Sequence, residues 1–267
     1  MSRSDLVLGF DTSAAHCAAA LLRGGAVIAE RCEEMTKGQA ERLMPMLEEM
    51  LAGAGVRWAD LGVIGVGIGP GNFTGVRISV AAARGLALSL GIPAIGVSRL
   101  EALAEGGPRP VVVLEDARRG QAYRQHFAAS AEPNTLSVSA PTSTALDIPT
   151  VSGTEPNAPP VLAPEPDTRP ISGAGIRPVS EPEPDTRPVA EPDTSTPELV
   201  ELDALPVTAP EIGSAARNGI APALPLAVAT ALIAARRAGV PQPRPAPLYL
   251  RGADAAPPSD PPPVLLD

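Results

Sequence analysis

The distribution of proline decides where this chain can build a core. Of its 33 prolines, five precede residue 133 and 28 lie from that residue onward. Proline fixes φ and carries no N–H, which bars it from helix interiors and central strands. A packed core therefore belongs to the first half of the 267 residues. Residues 133–210 hold 17 prolines and a near-repeat, "PEPDTRPI" from Pro164, "PEPDTRPV" from Pro182 and a truncated "EPDTS" from Glu191. A solenoid unit buries a hydrophobic face against its neighbours, and these units have none. They read as an extended, proline-stiffened insertion, disordered over 155–200. Order resumes with a helix from Leu226 to Ala238 and a short strand or anchored arm, "APLYLR".

In the first half the periodicities are clear. "DLVLGFDTSAAHCAAALLRGGAVIAE" reads as three antiparallel strands, with a small-residue turn at Asp11 to Ala14 and a Gly24-Gly25 hairpin turn. "GQAERLMPMLEEMLAGAG" has helical spacing, with Pro45 expected in its first turn. "LGVIGVGIG" is a buried strand, and the segment from Val76 to Leu90, apolar or small almost all round, is a helix buried on more than one side. "IPAIGVS" and "RPVVVLEDARRGQAYRQHF" supply further strands, with a turn at Asp116, Arg118, Arg119 and Gly120.

Charge and cysteine narrow the function classes. A net charge of −9, a pI near 4.8 and the absence of an arginine stripe remove the counterion-release term behind direct nucleic-acid affinity. Cys17 and Cys32 are too widely spaced for a metal knuckle and read as reduced, inert thiols. Asp11 interrupts the N-terminal apolar run, and Pro222 and Pro225 break the later one from Gly219 to Ala235. Neither reads as a signal peptide or a membrane span of about 20 residues. The expectation is a soluble, cytoplasmic protein with no membrane partner.

The chemistry-bearing motif is "IGPGNFTGVRIS", Ile68 to Ser79. Pro70-Gly71 suits a tight turn with positive φ at the glycine, Asn72 or Thr74 can cap a helix, and Gly75 permits close backbone approach. Exposed amides at such a helix start form an anion site. The spacing is neither that of a P-loop nor the dinucleotide fingerprint. Two readings stay open, phosphate binding and a structural strand-to-helix turn, because both need the same residues. The candidate nucleotide-binding residues are Asp11, Thr12, Gly69, Gly71, Asn72, Thr74 and Gly75.

"LGFDTSAAHCAAALL", "GIGPGNFTGVRISVAAARGLALSLGIPAIGVSRLEALA", "DARRGQAYRQHF" and "APLYLR" together resemble the TsaB (YeaZ) family of tRNA threonylcarbamoyladenosine biosynthesis subunits, continuously from about Asp5 to Phe127. The resemblance implies an α/β, actin-like ATPase fold of two lobes, each a mixed β-sheet flanked by helices. Residues 1–106 would form the first lobe, 107–225 the second with its proline-rich insertion, 226–253 a C-terminal helix and arm, and 254–267 a disordered tail. The implied role is a non-catalytic partner of TsaD, which transfers threonylcarbamoyl to the adenosine beside the anticodon, with TsaE as third member. Self-pairing is implied when the chain is alone, and tRNA contact only through partners. Catalytic relatives carry two histidines one helical turn apart; here those places hold Arg99 and Leu103, so no metal ligand and no catalytic residue is assigned. His16 and His126 read as turn or strand-end residues and Glu101 as a solvated helix residue. The family's second-lobe Gly-x-Gly turn is sought at Gly173 and Gly175 in "ISGAGIRP", with Gly153 competing, and the second lobe is expected to be shortened or rearranged. No cofactor is expected, weak ATP or ADP binding at the motif being the alternative. The rival functions are a metal-independent actin-fold phosphotransferase and a glycoprotease-type hydrolase.

A partner needs a surface. Leu43, Met44, Met46, Leu47, Met50, Leu51 and Ala54 span a helical arc of roughly 160°, wider than the ~100° that one core face requires. The next helix offers Ala81, Ala82, Ala83, Gly85 and Ala87, small enough for another helix to approach. The expected interface is Leu43, Met44, Met46, Leu47, Met50, Ala81 and Ala82.

Overall fold

Strand β1 (Leu6–Asp11) alternates its side chains between two cores and so becomes the centre of a sheet. Leu8 and Phe10 face one side and Val7 the other. A computed structural model describes residues 5–129, 196–202, 210–217 and 219–251. In it β1 pairs antiparallel with β2 (His16–Arg23), which pairs antiparallel with β3 (Ala26–Glu34). On its other edge β1 runs parallel to β4 (Val63–Gly67), and β4 parallel to β5 (Ala94–Val97). The resulting order is β3-β2-β1-β4-β5.

The second sheet repeats that plan. Its centre is β6 (Val111–Arg118), antiparallel to β7 (Gln121–Phe127), which pairs antiparallel with β8 (Glu198–Glu201). On the other edge β6 runs parallel to β9 (Glu211–Ile212), and β9 parallel to β10 (Gly219–Ile220). The order β10-β9-β6-β7-β8 is that of the first sheet, strand for strand and direction for direction. This duplicated mixed sheet with flanking helices is the actin-like architecture. The second lobe is therefore not truncated in its strand order.

Helices α1 (Gln39–Gly53) and α2 (Phe73–Leu90) cover one face of the first sheet, sharing a core with Leu8, Phe10, Leu21 and Ile64. Helix α4 (Leu226–Arg237) covers the other, against Val7, Ala20 and Val63. The C-terminal helix thus belongs to the first lobe. Gly9 and Gly65 are register partners, and α4 lies directly on them. A Cβ would stand 2.6 Å from the Ala227 carbonyl oxygen at Gly9 and 2.8 Å from the Ala234 Cβ at Gly65. Short helix α3 (Arg99–Ala104) joins the lobes and packs Leu100 and Leu103 with Val111, Val113 and Phe127. Its Glu101 is not merely solvated: it pairs with Arg237 of α4.

Several expectations need correction. Pro45 lies inside α1, in its second turn. The helix begins earlier because the buried Gln39 amide donates to the Met35 and Ala14 carbonyls and pins its start. Helix α2 is buried on one face only, through Gly75, Val76, Ser79, Val80 and Ala83. It is also the one described helix long and apolar enough to cross a membrane by length and composition, yet it is packed on the sheet. Strand β8 falls inside the 133–210 stretch, so that stretch is not all linker; Gly153, Gly173, Gly175, the repeat units and 254–267 lie outside the described residues. Topology instead puts the second-lobe counterpart of the β4–α2 loop after β9, at Gly213, where φ is 119° and a Cβ would collide with the Leu114 carbonyl. "APLYLR" forms an anchored arm rather than a strand.

Candidate functional site

The loop after β4 is fastened to the β1–β2 turn. Asn72 N donates to the Ser13 carbonyl at 2.6 Å, and the Thr12 hydroxyl donates to the Gly75 carbonyl at 2.6 Å. A Cβ at Gly71 would overlap the Ser13 carbonyl oxygen and one at Gly75 the Thr12 carbonyl oxygen. Both glycines are thus required by the approach of this chain's own backbone. The positive φ falls at Gly69 (90°) and not at Gly71 as the turn reading expected, because Gly71 is needed for space.

Several of the amides around the motif's helix start have partners inside the chain. The Asn72 side chain caps α2, accepting from Thr74 N at 3.0 Å and Gly75 N at 3.2 Å. Val76 N donates to the Asn72 carbonyl as in any helix. Thr74 N, Gly75 N and Val76 N, donors at the helix start, are thereby occupied within the chain.

Asp11 ends β1 fully buried. Its Oδ1 accepts from Ser13 N at 2.9 Å and Ser13 Oγ at 2.8 Å, and lies 2.9 Å from His16 Nε2. Burial pushes its carboxyl up, but the His16 hydrogen bond, the Arg99 and His16 charges and the Ser13 amide outweigh it and hold it below the ordinary value. Oδ2 has no hydrogen-bond partner and packs where a side chain on Gly67 would stand. One oxygen of Asp11 thus fastens the turn, through Ser13 and His16.

Beside this fastening a cleft of about 690 Å³ opens between the lobes, lined by Ser13, Asn72, Phe73, Arg99, Glu115 and Ser214 among others. At its floor Arg99 Nε donates to Glu115 Oε2 at 2.6 Å, and Arg99 N donates to the Gly69 carbonyl at 2.7 Å. Glu115 Oε1 accepts from Ser214 N at 2.8 Å, in the loop after β9. At the rim the arm is held by Leu248 N donating to the Ile68 carbonyl at 2.8 Å and by Arg251 Nη1 donating to the Ala117 carbonyl at 2.8 Å. Tyr249 lies 5.0 Å from the Phe73 ring and accepts from Arg77 Nε at 2.8 Å.

The structure thus brings together the seven candidate residues, with Thr12 bonded to Gly75, Asn72 to Ser13, Thr74 and Gly75, and Asp11 to Ser13 and His16. Arg99 enters the sequence reading only as a residue unable to ligate, and here it ties the two lobes. Glu115, Ser214, Tyr249 and Arg251 are missed, because their roles arise from distant segments that no local spacing reveals. Among the described residues no group of three or more His, Cys, Asp or Glu side chains gathers as a metal-holding set.

The expected interface splits. Leu43, Met46, Leu47 and Met50 are core residues, no more than 4% exposed. They cannot meet a partner, because α1 spends its wide apolar arc on β2 and the underside of α2. Met44 and Ala82 are half-buried and Ala81 is exposed. On α2 the sequence reading missed Leu88, the most exposed large apolar residue among those described, at 86%.

The matched family model is that of TsaD, tRNA N6-adenosine threonylcarbamoyltransferase, over residues 29–138. The chain is 38% identical over 122 residues to the tRNA threonylcarbamoyladenosine biosynthesis protein TsaB of Escherichia coli, covering 44% of this chain and 52% of that protein. It is 42% identical over 120 residues to TsaB of Bacillus subtilis, with shares of 44% and 52%. Among solved structures, YeaZ from Pseudomonas aeruginosa aligns with a TM-score of 0.44 and 36% identity, over 48% of this chain and 62% of that one. The chain spans about half the length of these curated relatives. Over the stretch that they cover, the chain is similar to the TsaB/YeaZ proteins.

Proposed function

We propose that this chain serves tRNA threonylcarbamoyladenosine biosynthesis as a non-catalytic, cytoplasmic subunit that pairs with a TsaD-type transferase, with a TsaE-type ATPase as third member, and that reaches tRNA only through them. The similarity to curated TsaB proteins supports the pathway. The observation that carries the non-catalytic role is the fastening of the glycine-rich motif, whose amides and close approaches are used to hold α2 against the β1–β2 turn. A motif spent in this way presents a helix face instead of a reaction centre. The positions of the relatives' histidine pair support the same reading: arginine stays protonated at Arg99 and leucine offers no donor at Leu103. The chain then turns over no nucleotide of its own, and when alone it pairs with a second copy through the same helix.

The test is reconstitution. Threonylcarbamoyl incorporation into tRNA is measured with the transferase and ATPase from the same organism, with and without this chain. Incorporation should require the chain, and the chain alone should hydrolyse ATP no faster than buffer. Equal incorporation without it, or ATP turnover by the isolated chain, overturns the reading.

A further inference from the structure

The lobes are joined firmly at the base of the cleft. Helix α3 carries the chain from the first lobe to the second, and the segment after β10 brings it back to α4. Leu100 and Leu103 of α3 are buried with Val111, Val113 and Phe127 of the second sheet, while Ala102 is buried with Val97, Ala229 and Ile233 on the first-lobe side. Glu105, 4% exposed, accepts from Arg236 Nη1 at 2.7 Å and Nη2 at 2.8 Å. Apolar packing on both sides of α3, closed by a bidentate ion pair, makes this the fixed edge.

At the rim the C-terminal arm crosses the cleft on far lighter contacts. Pro241, Pro243, Pro245 and Pro247 alternate along it, so its φ angles are largely fixed and it has little slack. It runs beside β5, where a Cβ on Gly96 would stand 3.6 Å from Pro245 Cα, and Leu248 N donates to the Ile68 carbonyl at 2.8 Å. Tyr249, 46% exposed, rests at 5.0 Å on Phe73 and accepts from Arg77 Nε, both on the first lobe. Two residues later Arg251 Nη1 donates to the Ala117 carbonyl of β6, on the second lobe. The arm is seated on one lobe and hooked to the other.

We propose that the arm is a strap that sets the opening of the cleft: seated, it holds the lobes at base and rim, and unhooked at Arg251 it leaves them to swing about α3. The contrast between the two edges gives the order of events. Segments with few buried apolar contacts and exposed hydrogen bonds open first, so the rim lets go while the base holds. The hinge itself lies where α3 ends, since Gly106, with φ at 71°, and Gly107 follow it directly and can absorb a change of backbone direction. The two ends of the strap act in series. Cutting the hook frees the second lobe and leaves the arm seated, whereas unseating Tyr249 loosens the arm and the hook together.

A distance measured across the cleft tests this. Cys32 is exposed on the first lobe and Cys17 is buried, so a nitroxide attached to the native chain goes to Cys32. A second nitroxide is placed on the second lobe through Glu201→Cys, at an exposed site on β8. Their separation is read by pulsed electron spin resonance in the full chain, alone and with Arg251→Ala or Tyr249→Ala added, beside amide exchange. Arg251→Ala should shift or broaden the separation while the Leu248 amide keeps its protection. Tyr249→Ala should change the separation likewise and speed Leu248 exchange by about tenfold. The Ile64 amide, which donates to the Pro93 carbonyl inside the first lobe, should exchange as in wild type in both, so the fold is intact. A separation in Arg251→Ala that superimposes on wild type overturns the strap, because the hook would then carry nothing across the cleft.

Discussion

The Thr12 hydroxyl donates to the Gly75 carbonyl at 2.6 Å, joining the end of β1 to the first turn of α2 across the segment that a phosphate would need to enter. Both groups are buried. Thr12→Val keeps the shape and removes this bond while the carbonyl keeps its place in the helix ladder of α2, a loss of about 0.5–1.5 kcal/mol. Gly75→Ala should cost at least as much, since its Cβ would overlap the Thr12 carbonyl oxygen and force the loop off the turn. Denaturant unfolding of both variants checks this. Wild-type stability in Gly75→Ala would mean that the loop is held elsewhere.

Asp11 should make stability depend on acid. Its carboxyl is held below the ordinary value of 3.8, burial being outweighed by the His16 hydrogen bond and the Arg99 charge. A depressed folded value gives stabilisation that is fully present above the unfolded value and lost as pH falls through the folded one. Asp11→Asn should therefore be less stable than wild type by about 1–3 kcal/mol at pH 7, and the gap should close as pH falls below about 4. Denaturant midpoints at both pH values decide it; a gap of constant size would place the effect in packing alone.

The first sheet was legible because its signals are local. The short apolar run "LVLGF" ending at Asp11, two glycines at the hairpin and Asn72 before an apolar run each act within a few residues. Three readings failed for a common reason, that the decisive neighbour lies far along the chain. The apolar arc of α1 pointed to a partner, whereas α1 is enclosed on its apolar side by β2 and α2. Pro45 pointed to a helix start, whereas Gln39 pins the start through Ala14, on a different element. Arg99 looked inert until Glu115 and Gly69 were brought to it by the second lobe. The Gly-x-Gly turn was sought inside the proline-rich stretch, because its topological marker, pairing of β9 with β6, has only two residues of strand to announce it.

The two cysteines should differ sharply towards alkylation. Cys17 is buried in the first core, and burial pushes its thiol up to about 11. Cys32 is exposed on edge strand β3, its thiol raised by partial burial and by neighbouring carboxylates. The thiolate is the reacting species. One equivalent of thiol should react in the native protein at pH 8, at Cys32, and the second only on unfolding. Mass mapping of the labelled peptide checks the order, and native labelling of Cys17 would show that the α1–β2 packing opens readily.

Arginine substitutions separate the core face of α1 from the outer face of α2. Met46 is fully buried among Leu43, Leu47 and Phe10. A guanidinium there would be a buried charge without a carboxylate to meet it, costing about 3–5 kcal/mol by analogy with a broken buried pair. That is a large part of the stability of a domain this size. Met46→Arg should therefore lower the melting temperature steeply or leave the chain unfolded, and any loss of pairing would follow from unfolding. Leu88 is 86% exposed, and nothing in the free chain is disturbed by a charge at that site. Leu88→Arg should melt within a degree or two of wild type, since exposed changes stay within about 0.5 kcal/mol. In a paired chain the same guanidinium is desolvated against an apolar surface and should cost the interface about 2–5 kcal/mol. Ala81→Arg, on the same stripe, should behave likewise. Circular dichroism melts beside a binding titration distinguish the classes. A folded Met46→Arg that no longer pairs would return the interface to α1, and a Leu88→Arg that pairs like wild type would remove it from the outer face of α2.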